Sequence, residues 1–459
     1  MSFSISTDSV TDEVHDLILK NCVHKKRKDN YNPTPGLVKC FAVDNDAGQV
    51  FLPLGLWRRF AEEFPNDVIR HSKVHTTCHK TMYTKETDPK KYRDQDVVVQ
   101  EALQRLKNDR VVFLALPCGF GKTSIGNYLS SKLARKTLIL CHVKVVLEQW
   151  VEEYQDNSTA KVQLVKGKTL DPSADVYVMG IRKATLMPEE SFDDIGTVIV
   201  DEAHISTITC FTSALLRVRP RYLIGLSATP DRADGMHKIL PSYFGPLKQF
   251  IIRKEVKDFT VFKVQTPFQP NIRYTFTPKG ASVVDWNEVI NSLAYNEKRQ
   301  RWALKIVRNN PDAKIMILTD RNIEARALYD KLIEAGDDTD LLIENMRSSD
   351  WNHDCRVLVA GMKKAGVGFN DESRTILILM TDKTDVRQFE GRIRCVNNKV
   401  YDLVDDYRTL ERHWSESREP WYRERGATIK TLGVKRSKET KIEAPTHTRF
   451  VKRVMIKNE

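Results

Sequence analysis

The feature that most constrains the fold is a regular alternation of short apolar runs with segments of helical spacing. From about residue 93 onward, each run is rich in Val, Ile and Leu. The runs are VVFLAL (111–116), TLILCH (137–142), DVYVMG (175–180), TVIVDE (197–202) and YLIGLS (222–227). Strands that are buried on both faces have this composition, and helical crossovers between them place them in parallel. The sequence therefore predicts an α/β fold with a parallel sheet covered by helices.

The alternation starts again further along the chain. The second set of runs is KIMILTD (314–320), RVLVAG (356–361), RTILILM (374–380) and VYDLVDD (400–406). The segment NIEARALYDKLIEAGDD predicts an amphipathic helix that ends at Gly336. We expect two α/β lobes, lobe 1 at residues 91–252 and lobe 2 at residues 253–425. Residues 1–90 are expected to form a small accessory domain behind a flexible lead-in, and residues 426–459 a basic tail.

Composition narrows the functional classes. The chain has 73 Lys and Arg against 61 Asp and Glu, a formal net charge of +12, which favours a polyanionic partner such as nucleic acid. No run of about 18 apolar residues is present, so we expect no membrane partner. The polar start has no signal-peptide pattern, and the eight cysteines form no CxxC pair. We expect a soluble intracellular protein with reduced thiols.

The first motif with chemical content is LPCGFGKT at residues 116–123. It follows an expected strand and precedes an expected helix, SIGNYLSSKLA, which is the context of a phosphate-binding loop. Lys122 would reach the β- and γ-phosphates of ATP, and the Thr123 hydroxyl would hold Mg²⁺. Leu116 stands where the strict pattern has Gly. The remaining residues of the expected loop are Pro117, Cys118, Gly119, Phe120 and Gly121. The two glycines let backbone N–H groups turn toward the phosphates.

The second motif is VIVDEAH, some eighty residues later. Asp201 and Glu202 end an apolar run, so their carboxylates are expected at the carboxyl-terminal edge of the sheet, beside the phosphate loop. There Asp201 can hold Mg²⁺ through its water shell, and Glu202 can polarise the attacking water. Two acids after a strand are usually only a solvated strand end. Their position after a phosphate loop favours ATP hydrolysis.

The third motif, GLSATPDRADG at residues 225–235, follows another expected strand. Ser227, Ala228 and Thr229 form its SAT core. The two small hydroxyl residues could exchange hydrogen bonds between the nucleotide site and lobe 2. Its place as third in the order favours this coupling function over an ordinary strand-to-turn transition.

In this order, PCGFGKT, DEAH, SATP and, far downstream, QFEGRIR resemble the motifs of the superfamily 2 helicases and translocases of DEAH type. The sequence is most similar to the XPB and UvsW branch and to related helicases of large DNA viruses. The details that carry this likeness are PCG in the loop, LCHVKVVLEQW, and GLSATPDRADG leading to YFGP (243–246). The resemblance covers about residues 90–425 and implies two tandem RecA-like P-loop lobes with ATP bound in the cleft between them.

The resemblance also implies further nucleotide contacts. Gln95 corresponds to a glutamine that reads adenine, although Asp94 stands where an aromatic residue is expected just before it. His204 and Gly368 are also expected at the nucleotide. Gly366, in MKKAGVGFND, belongs to the motif that couples nucleic acid to nucleotide.

The last motif would supply catalytic groups from lobe 2. Gln388 and Arg392 fit the family pattern, but Cys395 stands where a second arginine is expected, and Arg394 comes one residue earlier. Either Arg392 alone or Arg394 would stabilise the charge of the transition state. Because lobe 1 would hold the phosphates and lobe 2 would supply arginine, the lobes must close for hydrolysis.

Nucleic acid is expected to lie across both lobes. The expected phosphate contacts, which follow the ends of strands and carry no sequence information, are around His142, Arg182, Lys183 and Thr319. Near the end, RHWSESREPWYRERG interleaves Trp414, Trp421 and Tyr422 with arginines. These rings could stack on bases or pack against lobe 2, and packing is the favoured interpretation.

The leading hypothesis is an ATP-dependent DNA helicase or translocase that prefers single-stranded DNA. The resemblance to the family implies movement from 3′ to 5′ and a location such as the nucleus or a viral replication site. Its pathway would be replication, recombination, repair or transcription. An RNA helicase is the first alternative. The second is a clamp gated by ATP, without turnover, for which the irregular QFEGRIRC is the sequence basis. No strand-separating pin is recognisable in the sequence.

Overall fold

The computed structural model describes residues 1–25, 36–69, 94–117, 119–142, 144–204, 209–228, 235–253, 258–276, 280, 282–344, 346, 351–365, 373–390 and 398–433. These residues form two large parallel sheets, each flanked by helices, and smaller antiparallel pairings. Within them, no helix combines the length and the apolar character needed to cross a membrane.

The N-terminal residues form a small antiparallel unit. Its strands are β1 (Ser2–Ser6), β2 (Val23–Lys25), β3 (Leu37–Lys39), β4 (Ala42–Asp44), β5 (Gln49–Pro53) and β6 (Val68–Ile69), and its helices are α1 (Asp12–Cys22) and α2 (Trp57–Glu63). One sheet has the order β4-β5-β1-β6, and β2 pairs with β3. Helix α1 begins where the Thr11 hydroxyl accepts a hydrogen bond from the Val14 N–H.

This unit shares its hydrophobic core with lobe 1. Phe3 packs edge-on against Trp57 and Phe60, with ring centroids 5.7 and 5.4 Å apart. These three rings belong to the same buried cluster as Phe113 of lobe 1. The α-amino group of the chain donates to the carbonyl of Leu215, which also lies in lobe 1. The described part of the expected accessory domain is therefore continuous with lobe 1.

Lobe 1 is built on a sheet of seven described strands. They are β7 (Val111–Ala115), β8 (Thr137–Cys141), β9 (Val162–Leu164), β10 (Val176–Gly180), β11 (Thr197–Val200), β12 (Tyr222–Ser227) and β13 (Ile251–Ile252). The helices are α3 (Gln95–Asp109), α4 (Lys122–Leu133), α5 (Lys144–Asn157), α6 (Ile181–Ala184), α7 (Thr209–Arg217) and α8 (Leu240–Phe244). All neighbours in the order β13-β7-β12-β11-β8-β10-β9 are parallel.

The burial of β7 shows why its run is apolar throughout. Val111 and Phe113 face the cluster shared with the N-terminal unit, whereas Val112 and Leu114 face the cluster under α3, α4 and α5. Since successive side chains of a strand point to opposite faces, a strand covered on both sides needs apolar residues at every position. The five predicted runs are the strands β7, β8, β10, β11 and β12.

Lobe 2 has a second parallel sheet and a separate hairpin. Its strands are β14 (Thr260–Gln265), β15 (Tyr274–Phe276), β16 (Ser282–Val284), β17 (Ile315–Thr319), β18 (Thr339–Leu342), β19 (Val357–Gly361), β20 (Ile376–Leu379), β21 (Lys399–Val404) and β22 (Thr428–Gly433). Its helices are α9 (Trp286–Ala294), α10 (Glu297–Arg308), α11 (Asn322–Glu334), α12 (Met362–Ala365), α13 (Arg387–Glu390), α14 (Arg408–His413) and α15 (Glu419–Glu424). The sheet order is β18-β19-β17-β20-β21-β14-β22, and among the described strands β15 pairs with β16 alone.

The C-terminal end of lobe 2 differs from the expectation. The sequence predicts a basic tail from residue 426, but β22 pairs in parallel with β14 along its whole length. The polar alternation TIKTLG hides this edge strand from a search for apolar runs, since only one of its faces is covered. Lobe 2 therefore extends to at least Gly433.

The aromatic run near the C-terminus packs into lobe 2. Trp414 and Tyr422 are fully buried in its core. Between them, the buried guanidinium of Arg418 pairs with Asp402 at 2.5 Å and with Asp382 at 2.7 Å. A short π-helix, Trp414–Arg418, connects α14 to α15. Packing therefore accounts for both of these rings, and neither is exposed for stacking on bases.

The shared core predicts that a mutation in β1 destabilises lobe 1. Phe3→Ala should lower the free energy of unfolding by about 3–5 kcal/mol, since it empties a buried aromatic site between two other rings. Chemical denaturation, followed both by Trp fluorescence and by nucleotide binding, measures this loss. Val43→Ala is the control, because Val43 of β4 is half-exposed. A Phe3→Ala protein whose nucleotide-binding transition is unchanged would contradict a common core.

Candidate active site

The candidate active site lies at the carboxyl ends of four adjacent strands of lobe 1. Strands β7, β12, β11 and β8 are neighbours in that order. The motifs LPCGFGKT, GLSATP and VIVDEAH follow β7, β12 and β11, respectively. In an open parallel sheet this edge is where ligands bind. The fold thus brings together three motifs that are far apart in the sequence.

The phosphate loop owes its shape to two glycines. Gly119 and Gly121 have φ angles of 81° and 86°, in the left-handed region that favours glycine. A Cβ on Gly121 would also lie 2.4 Å from Nε2 of Gln95. That amide is buried and donates a hydrogen bond of 2.6 Å to the carbonyl of Phe120. The Gln95 side chain therefore supports the backbone of the loop, and its role in reading adenine stays a prediction.

A cation and a helix N-terminus meet within this loop. Lys122 is the first residue of α4, and its Nζ donates to the carbonyls of Leu116 and Pro117 at 3.2 and 3.3 Å. Thr123 follows it in the first turn of the helix. The first N–H groups of a helix have no partner within it and attract anions. The loop is therefore positioned to bind the phosphates of a nucleotide.

The acidic pair stands at the end of β11. Oδ2 of Asp201 accepts a hydrogen bond of 2.9 Å from the indole N–H of Trp150, and Oδ1 accepts one from the N–H of Glu202. Glu202 has a φ of 48°, which is uncommon for a residue with a side chain. Its Oε2 is buried and has no hydrogen-bond partner among the described residues.

The electrostatics of this pair favour a nearby cation. Burial, and then the charge of Glu202, raise the pKa of the Asp201 carboxyl to about 6. The hydrogen bond from Trp150 and the positive charge of Lys122 act in the opposite direction. A positive charge placed beside the two carboxylates stabilises their ionised forms.

The donor set suits the Mg²⁺ that the phosphate loop implies. The oxygens of Thr123, Asp201 and Glu202 are hard ligands of the kind Mg²⁺ prefers, and among the described residues no hydrogen bond reaches Oε2 of Glu202. In the described part of the chain, no three His, Cys, Asp or Glu side chains gather into a complete metal site. A bound Mg²⁺ would therefore take most of its ligands from the nucleotide and from water.

His204 links the acidic pair to the SAT strand. Its Nδ1 lies 2.8 Å from Oγ of Ser227 and 3.5 Å from Oε2 of Glu202. The backbone adds two more links, since the N–H of Ala203 donates to the carbonyl of Leu226, and the carbonyl of Ser227 accepts from Leu116. His204 therefore contacts Ser227 and Glu202, two of the residues predicted from the sequence. Ala228 follows Ser227 directly.

Lobe 2 approaches this site just before α13. Burial alone would raise the pKa of the Asp385 carboxyl, but hydrogen bonds from Arg387 and the charge of His204 lower it. The segment that leads into QFEGRIR therefore faces DEAH. Gln388 lies in α13. The other predicted residues of these motifs, which lie outside the described residues, are Cys118, Thr229, Gly366, Gly368, Arg392 and Arg394.

The residues expected at nucleic acid behave differently from one another. His142 and Arg182 are exposed at the carboxyl ends of β8 and β10. Nζ of Lys183 donates to the carbonyl of Lys166 at 2.6 Å. Thr319 differs from the expectation, because its side chain is fully buried and its hydroxyl donates to Glu324. The Thr319 side chain is therefore unavailable to a phosphate.

Two residues of the site were not predicted. Trp150 holds Asp201, and Glu153, one turn further along α5, accepts a hydrogen bond of 3.0 Å from Ser124 in the first turn of α4. Both belong to LEQWVEEY, whose helical spacing indicates only a packed face. The one feature of the sequence that could have indicated these two residues is a Trp on the helix face that packs against the phosphate-loop helix.

Comparisons with known proteins identify the family. A family model described as Type III restriction enzyme, res subunit, matches residues 88–232. A protein of Invertebrate iridescent virus 6, named "Putative helicase 161L", is 32% identical over 373 residues, which cover 74% of this chain and 82% of that protein. The chain belongs to the superfamily 2 helicases.

More distant comparisons agree with this assignment. A protein of Acanthamoeba polyphaga mimivirus, named "Putative ATP-dependent RNA helicase", is 24% identical to this helicase over 382 residues, 79% of this chain and 73% of that one. A solved structure of a Saccharomyces cerevisiae Dbp5 variant bound to RNA and ADP BeF3 is 14% identical, with a TM-score of 0.53, over 77% of this chain and 96% of that chain. At this identity the likeness shows the fold, two tandem RecA-like lobes. This helicase is an ATP-hydrolysing enzyme.

The loop geometry predicts that Gly121→Ala weakens nucleotide binding. A left-handed φ costs an L-residue about 1–2 kcal/mol, and the new Cβ would displace Gln95, so affinity should fall about tenfold or more. Titration with a fluorescent ATP analogue measures the change. Gly167→Ala is the matched control, since no described heavy atom lies within 4 Å of a Cβ there. Equal affinities for the two variants would contradict the described loop.

Proposed function

We propose that this helicase is an ATP-dependent DNA helicase or translocase that moves 3′ to 5′ on single-stranded DNA. The observation that carries the proposal is the meeting of Lys122, Asp201 and Glu202 at one edge of the sheet, where the charges of Lys122 and Glu202 act on Asp201. A cationic loop beside two strand-end carboxylates is the arrangement that phosphoryl transfer from ATP requires.

Each lobe 1 residue then has a definite task. Lys122 and the N–H groups of the loop orient the β- and γ-phosphates, while Thr123 and Asp201 hold Mg²⁺. Bound Mg²⁺ neutralises charge on the phosphate oxygens. Glu202 orients the attacking water and accepts its proton, and His204 fixes the position of the Glu202 carboxylate through their 3.5 Å contact.

Lobe 2 completes the site in this proposal. Arg392 or Arg394, from the segment that follows α13, stabilises the charge of the transition state, with Gln388 beside it. An arginine supplied in this way raises the rate by roughly 10³–10⁵. Because the arginine and the phosphate loop belong to different lobes, hydrolysis requires closure, and closure moves the two lobes along the bound strand.

The preference for DNA is the finer part of the proposal. It rests on the resemblance of PCGFGKT and GLSATPDRADG to the XPB and UvsW branch and on the net charge of +12. RNA is the second candidate substrate, because one relative is named an RNA helicase and the Dbp5 variant of the same fold is bound to RNA. His142 and Arg182, which are exposed, would contact the sugar-phosphate backbone that DNA and RNA share.

Two substitutions test the catalytic assignment. Lys122→Ala and Glu202→Gln should each lower nucleic-acid-stimulated ATP hydrolysis by at least about a hundredfold, because each removes a group that stabilises developing charge or positions the water. Release of inorganic phosphate measures the rate. Lys132→Ala, on the exposed side of the same helix α4, is the control and should keep the wild-type rate. Wild-type hydrolysis by either active-site variant would refute the assignment.

Strand displacement on tailed duplexes tests the substrate and the direction. DNA and RNA duplexes of equal length, each with a 3′ or a 5′ single-stranded tail, should give ATP-dependent unwinding only for DNA with a 3′ tail. Unwinding of RNA alone would favour the second candidate. ATP-dependent retention of DNA without hydrolysis in a single-turnover experiment would favour a clamp.

A further inference from the structure

Lobe 2 carries a hairpin whose described strands join neither large sheet. Strands β15 and β16 pair antiparallel with each other, with Tyr274 opposite Val284 and Phe276 opposite Ser282. The hairpin is inserted between β14 and α9. A two-stranded ribbon without a covering layer gains little stability from its own contacts. Packing in a core therefore does not explain why this hairpin carries aromatic residues.

Two aromatic rings are exposed on the first arm of this hairpin. The exposed fractions of Tyr274 and Phe276 are 64% and 74%, and neither residue belongs to a hydrophobic cluster of the described chain. Since they are two residues apart on a strand, both rings lie on the same face. Adjacent exposed rings are costly in water, so their presence points to a ligand with apolar faces.

The root of the hairpin is firmly held. The N–H of Asp285 donates to the carbonyl of Arg273 at 2.8 Å, and the N–H of Asn271 donates to Oγ of Ser292 at 2.9 Å. The Asp285 carboxylate caps α9 by accepting from the backbone of Asn287. The two rings are therefore mounted on a fixed base rather than on a free loop.

The same base is tied to the carboxyl-terminal edge of the lobe 2 sheet. Arg321, which follows β17, donates to the side chains of Asn291 at 2.7 Å and Asn287 at 3.0 Å, both on α9. On lobe 2, this is the sheet edge at which we expect nucleic acid from the sequence, although the Thr319 side chain itself is buried. The root of the hairpin therefore lies on the side of lobe 2 where we expect the nucleic-acid strand.

The charge of the hairpin and the area of its two exposed rings indicate which class of ligand could bind there. Arg273 precedes the first arm and faces Asp285 across the root, but the Asp285 carboxylate accepts hydrogen bonds from the start of α9, and the arms YTF and SVV carry no acidic residue. Arg273 is thus a cation beside the two rings, which suits a polyanion. Two aromatic rings bury roughly 300–500 Å² in a contact. A stable protein interface needs about 1,200–2,000 Å², so the two rings alone are too small for one. Unpaired or terminal bases, in contrast, stack on single rings, whatever their sequence.

We propose that Tyr274 and Phe276 stack on the bases at the end of a nucleic-acid duplex and form the strand-separating contact of this helicase. The proposal rests on the proposed function, because translocation is what would drive the duplex against the rings. The ring faces replace the stacking that the terminal base pair loses, and Arg273 contacts the adjacent phosphate. Since every base has an apolar face, the contact is independent of sequence.

Strand displacement tests the proposal in the full-length protein. The double variant Tyr274→Ala/Phe276→Ala should unwind a tailed duplex at least tenfold more slowly than wild type, while ATP hydrolysis stimulated by single strands stays within about twofold. Phe276→Tyr, which keeps a ring, should unwind normally. Tyr295→Ala is the matched control and should leave both activities unchanged, because Tyr295 is a 62% exposed tyrosine just past the C-terminal end of α9, about 14 Å from the first residue of that helix.

A second measurement works without ATP and separates this proposal from the proposed function. 2-Aminopurine placed at the duplex junction should be quenched on binding of wild type and of Tyr295→Ala, but not of the double variant. Quenching by wild type and by Tyr295→Ala, but not by the double variant, supports the contact even where no ATP hydrolysis is detected. Equal unwinding by wild type and the double variant overturns the proposal. Loss of single-strand-stimulated ATP hydrolysis in the double variant also overturns it, because the hairpin would then support the lobe rather than the duplex.

Discussion

The hydrogen bond from the indole of Trp150 to Asp201 is the contact on which the arrangement of the nucleotide site depends. The Trp150 ring is fully buried, and a Cβ on Gly126 would lie 2.6 Å from it. Gly126 is one turn beyond Lys122 on α4, so the packing of one ring sets the spacing between the phosphate-loop helix and the acidic end of β11. A buried carboxylate needs such a donor, because burial disfavours its charged form. The same Trp150 ring therefore sets both the packing of α4 on α5 and the environment of the Asp201 carboxylate.

In lobe 2, buried ion pairs between side chains hold the carboxyl-terminal edge of the sheet. The fully buried guanidinium of Arg299 pairs with Asp405 at 2.9 Å and with Glu324 at 2.8 Å, and Glu324 accepts from Thr319. Pairs of this kind contribute little net stability, but removing one partner leaves a buried charge and is strongly destabilising. The network joins α10, the start of α11 and the ends of β17 and β21. It explains why Thr319 follows a strand at the expected position and yet serves the structure rather than a phosphate.

The sequence predicts those strands and loops whose local composition directly reflects their burial or their backbone conformation. Strand β7 is apolar throughout because both of its faces are covered, and the phosphate loop is marked by the φ angles that only Gly119 and Gly121 adopt readily. The rest depends on tertiary neighbours. Strand β22 is polar because it is an edge, and the arms of the hairpin are too short for a periodic signal. Trp150 looks like any core residue until its partner is known.

The contacts around His204 suggest how the two lobes communicate. The left-handed φ of Glu202 carries a strain of about 1–3 kcal/mol, which the surrounding contacts must hold in place. His204 lies between Glu202 and Ser227, and the carbonyl of Ser227 accepts the N–H of Leu116 at the start of the phosphate loop. The charge of His204 also acts on Asp385 of lobe 2. In the proposed mechanism, a displacement of lobe 2 at Asp385 would therefore change the electrostatic environment of a buried imidazole that contacts both the strained acid and the strand end supporting the loop. This single side chain would then connect lobe closure to the geometry of the catalytic acid.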